Sequence, residues 1–233
     1  MDDELISRFL KGVYRRTPAL PRYDYTWNPS IVLDKLSSLY PNEEITFELI
    51  SKKLITLLAL VTAHRVQTLS LIKLPNIEIN NTRILIKIPD MIKTSGVNRS
   101  QPLLILPFFD EKPEICPAKT LVSYLNRTES LRPINVNHLF ISFKRPYSRV
   151  SSQTLSKWIK CTLEFSGVDT TIFSGHSTRH AATSAASRRG VSLQLIRKTA
   201  GWSATSRVFA DFYNRPVVED SLEDGFARAI IES

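Results

Sequence analysis

Cysteine is nearly missing from this chain. Cys116 and Cys161 are the only two among 233 residues, far apart and without a CxxC, which excludes a disulfide framework and a thiolate zinc centre and fits a reducing compartment. A secretory signal is lacking, because the chain opens on the acidic Met1-Asp2-Asp3-Glu4 where a basic segment would stand. No apolar run can span a bilayer: Leu54 to Ala63 is too short and is interrupted by Thr56. Internal repeats and low-complexity segments are also missing. The expectation is a soluble intracellular protein that makes no use of a membrane.

Acidic residues are outnumbered, 22 Asp and Glu against 31 Lys and Arg, and the formal net charge is +9. Such a surplus favours a polyanionic partner but says nothing about catalysis. Hydrophobic residues make up 42% of the chain, so a substantial core can be buried and a disordered tail is excluded.

The periodicities predict a mainly α architecture with a small three-stranded antiparallel sheet. A short helical period over residues 5 to 13 gives way to a basic, proline-broken stretch from Arg15 to Arg22, read as a linker. Asn28-Pro29 opens one helix, and Thr46 opens a second, whose apolar residues Leu49, Leu54, Leu57, Leu58 and Val61 imply deep burial. Arg65 is read as ending it. Period-2 runs follow at Ile77 and Ile79, at Ile84, Ile86 and Ile88, and at Leu104 and Leu106, with Asn80-Asn81 turning between the first two and a polar loop, Lys93 to Arg99, before the third. Helices are expected over Pro117 to Glu129, Ser151 to Phe165, His176 to Arg189 and Ser192 to Thr199, with another ending near Tyr213. The domain reading is 1–27 as an N-terminal segment and basic linker, 28–216 as a catalytic domain and 217–233 as an amphipathic tail helix.

Several residues could carry chemistry, each with a plainer alternative. In His176-Ser177-Thr178-Arg179 the two ionisable side chains lie three apart on one helical face, at the positive end of the helix dipole, where a phosphate is favoured. Alone, such a pair is more often a surface or interdomain contact. His180, four after His176, imitates zinc-hydrolase spacing, but an arginine stands where the carboxylate base is needed, so His180 is read as a core or supporting histidine. Arg65 beside an apolar helix must find an anion or backbone carbonyls. Lys93 sits in a glycine-containing hairpin loop, where a lysine is ordinarily solvated. Trp202 and Tyr213 could belong with Phe209 and Phe212 to an aromatic core stripe, after a helix stop at Gly201.

Taken in order, however, an arginine after an apolar helix, a lysine in a β-hairpin, H-x-x-R opening a helix, Gly-Trp and then a tyrosine resemble the tyrosine recombinase/integrase family over Leu57 to Pro216, most specifically over His176 to Tyr213. Ala200-Gly201-Trp202 and Phe212-Tyr213-Asn214-Arg215-Pro216 further resemble recombinases of DIRS and Crypton mobile elements, which implies a nuclear protein; otherwise a cytoplasmic one is implied.

The resemblance implies a metal-free and cofactor-free enzyme of DNA recombination and integration. Tyr213 would attack the scissile phosphodiester to leave a 3′-phosphotyrosyl bond. Arg65 and Arg179 would neutralise the pentacoordinate phosphate. Lys93 would protonate the departing 5′-oxygen, while His176 and Trp202 would hold a nonbridging oxygen and His176 would also take the tyrosine proton. Double-stranded DNA is the implied partner, with a homotetramer assembled on it.

Three departures from the family pattern stand out. Thr68 occupies the position, three after the first arginine, where an acidic residue is common. The interval from Trp202 to Tyr213 is slightly long. Residues 1–27 alone precede the catalytic helices, where the family usually has a helical core-binding domain that closes a clamp on DNA, so either the chain is a fragment or it grips DNA weakly. Two other functions compete: a non-catalytic DNA-binding remnant, favoured by Thr68 and the missing clamp, and strand relaxation of the type IB topoisomerase kind.

Overall fold

The computed structural model describes residues 3–16, 22–96, 100–203 and 205–218. Its centre is a helix covered on several faces. Thr46 caps α3 (Phe47–Thr62) by accepting from the Leu49 N–H, and Ile50, Leu54, Ile55, Leu57, Leu58 and Ala59 behind it are fully buried. With apolar side chains on more than one face, α3 must be covered on more than one face. It packs against α5 (Pro117–Thr128), α6 (Ser152–Phe165) and α7 (Ser177–Arg188). One charge is carried inward: the buried Lys53 ammonium donates to Leu39 O at 2.6 Å and Asn42 Oδ1 at 2.9 Å, and burial pulls its pKa down to about 8.

The three-stranded sheet orders β2 (Ile77–Ile79), β3 (Arg83–Lys87) and β4 (Leu103–Pro107) as antiparallel neighbours. Alternation sets the register: Ile86 faces Leu104 and Ile84 faces Leu106, all four buried, while Leu103 and Ile105 point outward. The Asn80 carboxamide makes the first turn by accepting from the Thr82 and Arg83 backbone N–H groups. Mainly helical with a small antiparallel sheet, the architecture is the one the periodicity predicts.

Three local expectations are corrected. The first helix, α1 (Asp3–Arg16), continues into the stretch read as a linker; of that stretch, 17–21 lies outside the described residues. Helix α3 stops at Thr62, because Ala63 turns left-handed (φ 49°, ψ 21°), so Arg65 does not end it but stands at the start of the short α4 (Val66–Leu69). Val217 and Val218 do not open a helix: as β5 they pair in parallel with β1 (Thr26–Trp27), which places part of the expected N-terminal segment in the folded body. The rest of the expected tail helix, 219–233, lies outside the described residues.

Between these elements, α2 (Pro29–Ser37) is capped by the Asn28 side chain, and α8 (Leu193–Thr199) by Ser192. Among the described residues no helix is long and apolar enough to cross a membrane.

Candidate active site

The site is built where α7 begins. Gly175 lies so close to α6 that a Cβ there would sit 2.6 Å from Ser156 O, so only glycine permits the approach that brings His176 and Arg179 inward. Trp27 reinforces the same end by donating its indole N–H to Ser177 Oγ at 2.8 Å.

Arg179 is only 1% exposed. Its Nη1 donates to Ala63 O at 2.8 Å and its Nη2 to Ala200 O at 2.9 Å, so one guanidinium joins the α3–α4 junction to the end of α8, while Nε has no hydrogen-bond partner among the described residues. The left-handed Ala63 is what presents its carbonyl, and it also starts the chain toward Arg65 two residues later. Burial and the neighbouring Arg65 charge pull the Arg179 pKa down to about 10. Arg179 lies over two rings, with its central carbon 4.3 Å from the centre of Trp202 and 5.4 Å from that of Tyr213.

Tyr213 ends a single π turn, Phe209–Tyr213, closed by Asn214 N–H donating to Phe209 O. A π turn takes up one residue more than an α turn, which accommodates the long interval after Trp202. The phenol oxygen lies 3.1 Å from His176 Nε2. The Tyr213 ring stacks on His180 at 4.1 Å and packs on Trp202 at 4.9 Å. Behind it, Ser184 Oγ donates to Tyr213 O at 2.6 Å, and the β1–β5 pairing holds the chain that follows.

Arg65, His176, Arg179, Trp202 and Tyr213 therefore come together. Direct contacts join the last four, and the Arg65 charge is felt by both His176 and Arg179. Lys93 is not brought into contact with them. It is exposed in the β3–β4 loop, whose Ile92, Thr94 and Ser95 line a cavity of about 490 Å³ shared with Trp202 and Lys198. Arg65, Lys93 and Arg179 are in no ion pair among the described residues, so nothing there neutralises the cluster. Thr68 is buried in α4 and supplies no acid.

Sequence reasoning overlooked Gly175, Ser184 and His64. His64 is 7% exposed and packs its ring against Gly201, where a Cβ would meet Cε1 at 2.9 Å and the backbone is left-handed at φ 69°. A histidine next to Arg65 was the one available signal. Among the described residues no group of His, Cys, Asp and Glu is arranged to hold a metal ion.

Three histidines at the site are held neutral. Burial first, then the Arg179 and Arg65 charges, lower His64 and His176 to about 4; burial, then His176 and Arg215, lower His180 to about 3. A folded-state pKa below the unfolded ~6.5 means the unfolded chain binds more protons, so stability is full above pH ~6.5 and falls as pH drops toward the folded values. Each of the three is expected to cost up to about 1.4 kcal/mol per pH unit in that window. Urea denaturation between pH 7 and pH 4.5 checks this, and a flat profile would refute the buried neutral cluster.

The phage integrase family model matches residues 31–217. Among solved structures the chain is similar to XerA recombinase at 17% identity, with a TM-score of 0.60, covering 93% of this chain and 67% of that one. It is also similar to XerH site-specific recombinase bound to difH substrate, at 18% identity and a TM-score of 0.59, covering 83% of this chain and 51% of that one. The chain thus spans about two thirds of the first and half of the second, and the likeness is one of fold. No curated protein matches the sequence. With the family model covering most of its length and the fold agreeing, this chain belongs to the phage integrase family, the tyrosine recombinases.

Proposed function

We propose that the chain cleaves and rejoins double-stranded DNA through a 3′-phosphotyrosyl intermediate, with Tyr213 as nucleophile. The observation that carries this reading is the 3.1 Å contact between the Tyr213 hydroxyl and His176 Nε2, set beside the Arg179 guanidinium. A phenol of pKa ~10 is a poor nucleophile at pH 7 unless a base takes its proton and cations stabilise the oxyanion. A neutral His176, in the tautomer with its proton on Nδ1, accepts that proton at Nε2. Arg179 and Arg65 stabilise the charge on the phosphorane, Arg179 being already fixed by two carbonyls and so needing no reorganisation.

In this scheme Lys93 donates to the departing 5′-oxygen after the exposed β3–β4 loop closes over the DNA, and Trp202 walls the phosphate. No bond energy is lost, so ATP is not needed. A net charge of +9 suits the duplex. A tetramer on DNA and work in a nucleus, as the DIRS and Crypton resemblance implies, complete the proposal.

The test is to incubate the protein with a pool of nicked duplexes of randomised sequence, which trap a cleaved strand by losing the short leaving piece. A denaturation-resistant adduct carrying DNA through a 3′ phosphate is expected. Duplex binding without adduct from any member of the pool would leave the DNA-binding remnant as the function and overturn the enzyme.

A further inference from the structure

The cavity between the β3–β4 loop and the Gly201–Trp202 turn holds one group that the scheme above does not use. His64 lines it, 93% withdrawn from solvent on its 7% exposure, and no hydrogen bond to its ring nitrogens occurs among the described residues. Gly201 presses on the Cε1 edge and holds the ring in place. The His64 ring nitrogens are not among the sealed, unpartnered atoms of the fold, so they stay open to a ligand in the cavity. The rest of the lining says what would satisfy them. Lys198 supplies a cation, Trp202 contributes an indole whose N–H is buried without a partner, and Ser95 and Gln101 are bonded to each other. Among the described residues no carboxylate lines the cavity, and groups able to donate do, the chemistry of an anion site. Through Trp202, which packs on Tyr213, the cavity adjoins the attacking residue.

We propose that His64 is a phosphate-binding residue: a neutral imidazole N–H that, with Lys198, holds a DNA backbone phosphate beside the scissile one. The inference rests on the strand-transfer reading for its role in turnover, but not for the existence of the anion site. Held neutral by burial, with Arg179 and Arg65 beside it, His64 donates a hydrogen bond without adding a titrating charge. It thereby fixes the strand laterally while leaving transition-state charge to the arginines.

Two measurements test this. In the first, the imidazole N–H signals of the four histidines are followed in the Tyr213→Phe protein as inorganic phosphate, then a short duplex of arbitrary sequence, is added. His64 should gain a shifted, exchange-protected N–H with either probe. A His64 signal that stays put while the duplex is bound overturns the proposal. In the second, His64→Leu keeps the volume against Gly201 but removes the donor, and should lower the adduct rate about ten- to a hundredfold, whereas His64→Gln, a neutral donor, should stay within about threefold. Equal rates for His64→Leu and the parent overturn it; so does equal loss in both variants with unchanged duplex affinity, which marks packing alone. If phosphate moves His64 yet no duplex yields an adduct, the anion site stands and the strand-transfer reading falls.

Discussion

The Tyr213→Phe protein is expected to form no adduct, a loss on the order of 10⁴-fold or more, with duplex affinity and fold retained. The physical basis is how little else the hydroxyl does. The ring carries the packing, stacked on His180, tilted against Trp202 and lying under Arg179, and all of that survives in phenylalanine. The hydroxyl meets His176 and the Arg179 guanidinium, which keeps its two carbonyl partners without it, and removing it is expected to change stability by only about 1 kcal/mol. Ser184 bonds the Tyr213 backbone rather than the side chain, so the π turn stays anchored as well. Gel separation under denaturing conditions reads the adduct, and duplex binding in the same preparation reads integrity. An adduct that persists in Tyr213→Phe would move the nucleophile elsewhere and undo the site assignment.

What could be read in the sequence divides along the range of the interactions. Thr46, Asn28 and Ser192 mark helix starts because capping is settled within a few residues, and Ile84, Ile86, Leu104 and Leu106 mark a sheet face because alternation is local. Arg65 was misplaced because nothing in Ala63-His64 announces a left-handed alanine; its carbonyl is fixed by Arg179, more than a hundred residues later. The parallel pairing of Thr26 with Val217 joins segments far apart in the chain, beyond any local pattern, which is why a boundary drawn at Asn28 cut through it.

The same logic applies to the site. His176 and Arg179 share a helix start and were legible from spacing, whereas Tyr213 reaches them only through a π turn that no propensity reveals. Lys93 shows the opposite limit: sequence puts it in a polar hairpin loop and the structure has it exposed there, so its part in the chemistry belongs to the proposal and not to the fold. His180 was read as a supporting histidine, and it stacks on Tyr213.

Arg179→Ala should cost both folding and chemistry, and Arg179→Lys should separate the two. In the folded chain the guanidinium is the sole side-chain donor described for Ala63 O and Ala200 O, so alanine leaves two carbonyls short of a partner in a buried place, at about 1–3 kcal/mol each. Part of that is offset, because a buried cation with a depressed pKa is itself expensive to keep. A net loss of a few kcal/mol is expected in urea denaturation. Lysine restores the charge but not the fork: one ammonium cannot bond carbonyls from two separate segments while lying flat on Trp202 and Tyr213. Arg179→Lys should therefore recover much of the stability yet form adduct about 10²- to 10³-fold more slowly, since the lost element is a preorganised donor for the phosphorane. Measured together, stability and adduct rate discriminate: a lysine variant with parental rate would reduce Arg179 to a strut between α3 and α8, and leave phosphate stabilisation to Arg65 alone.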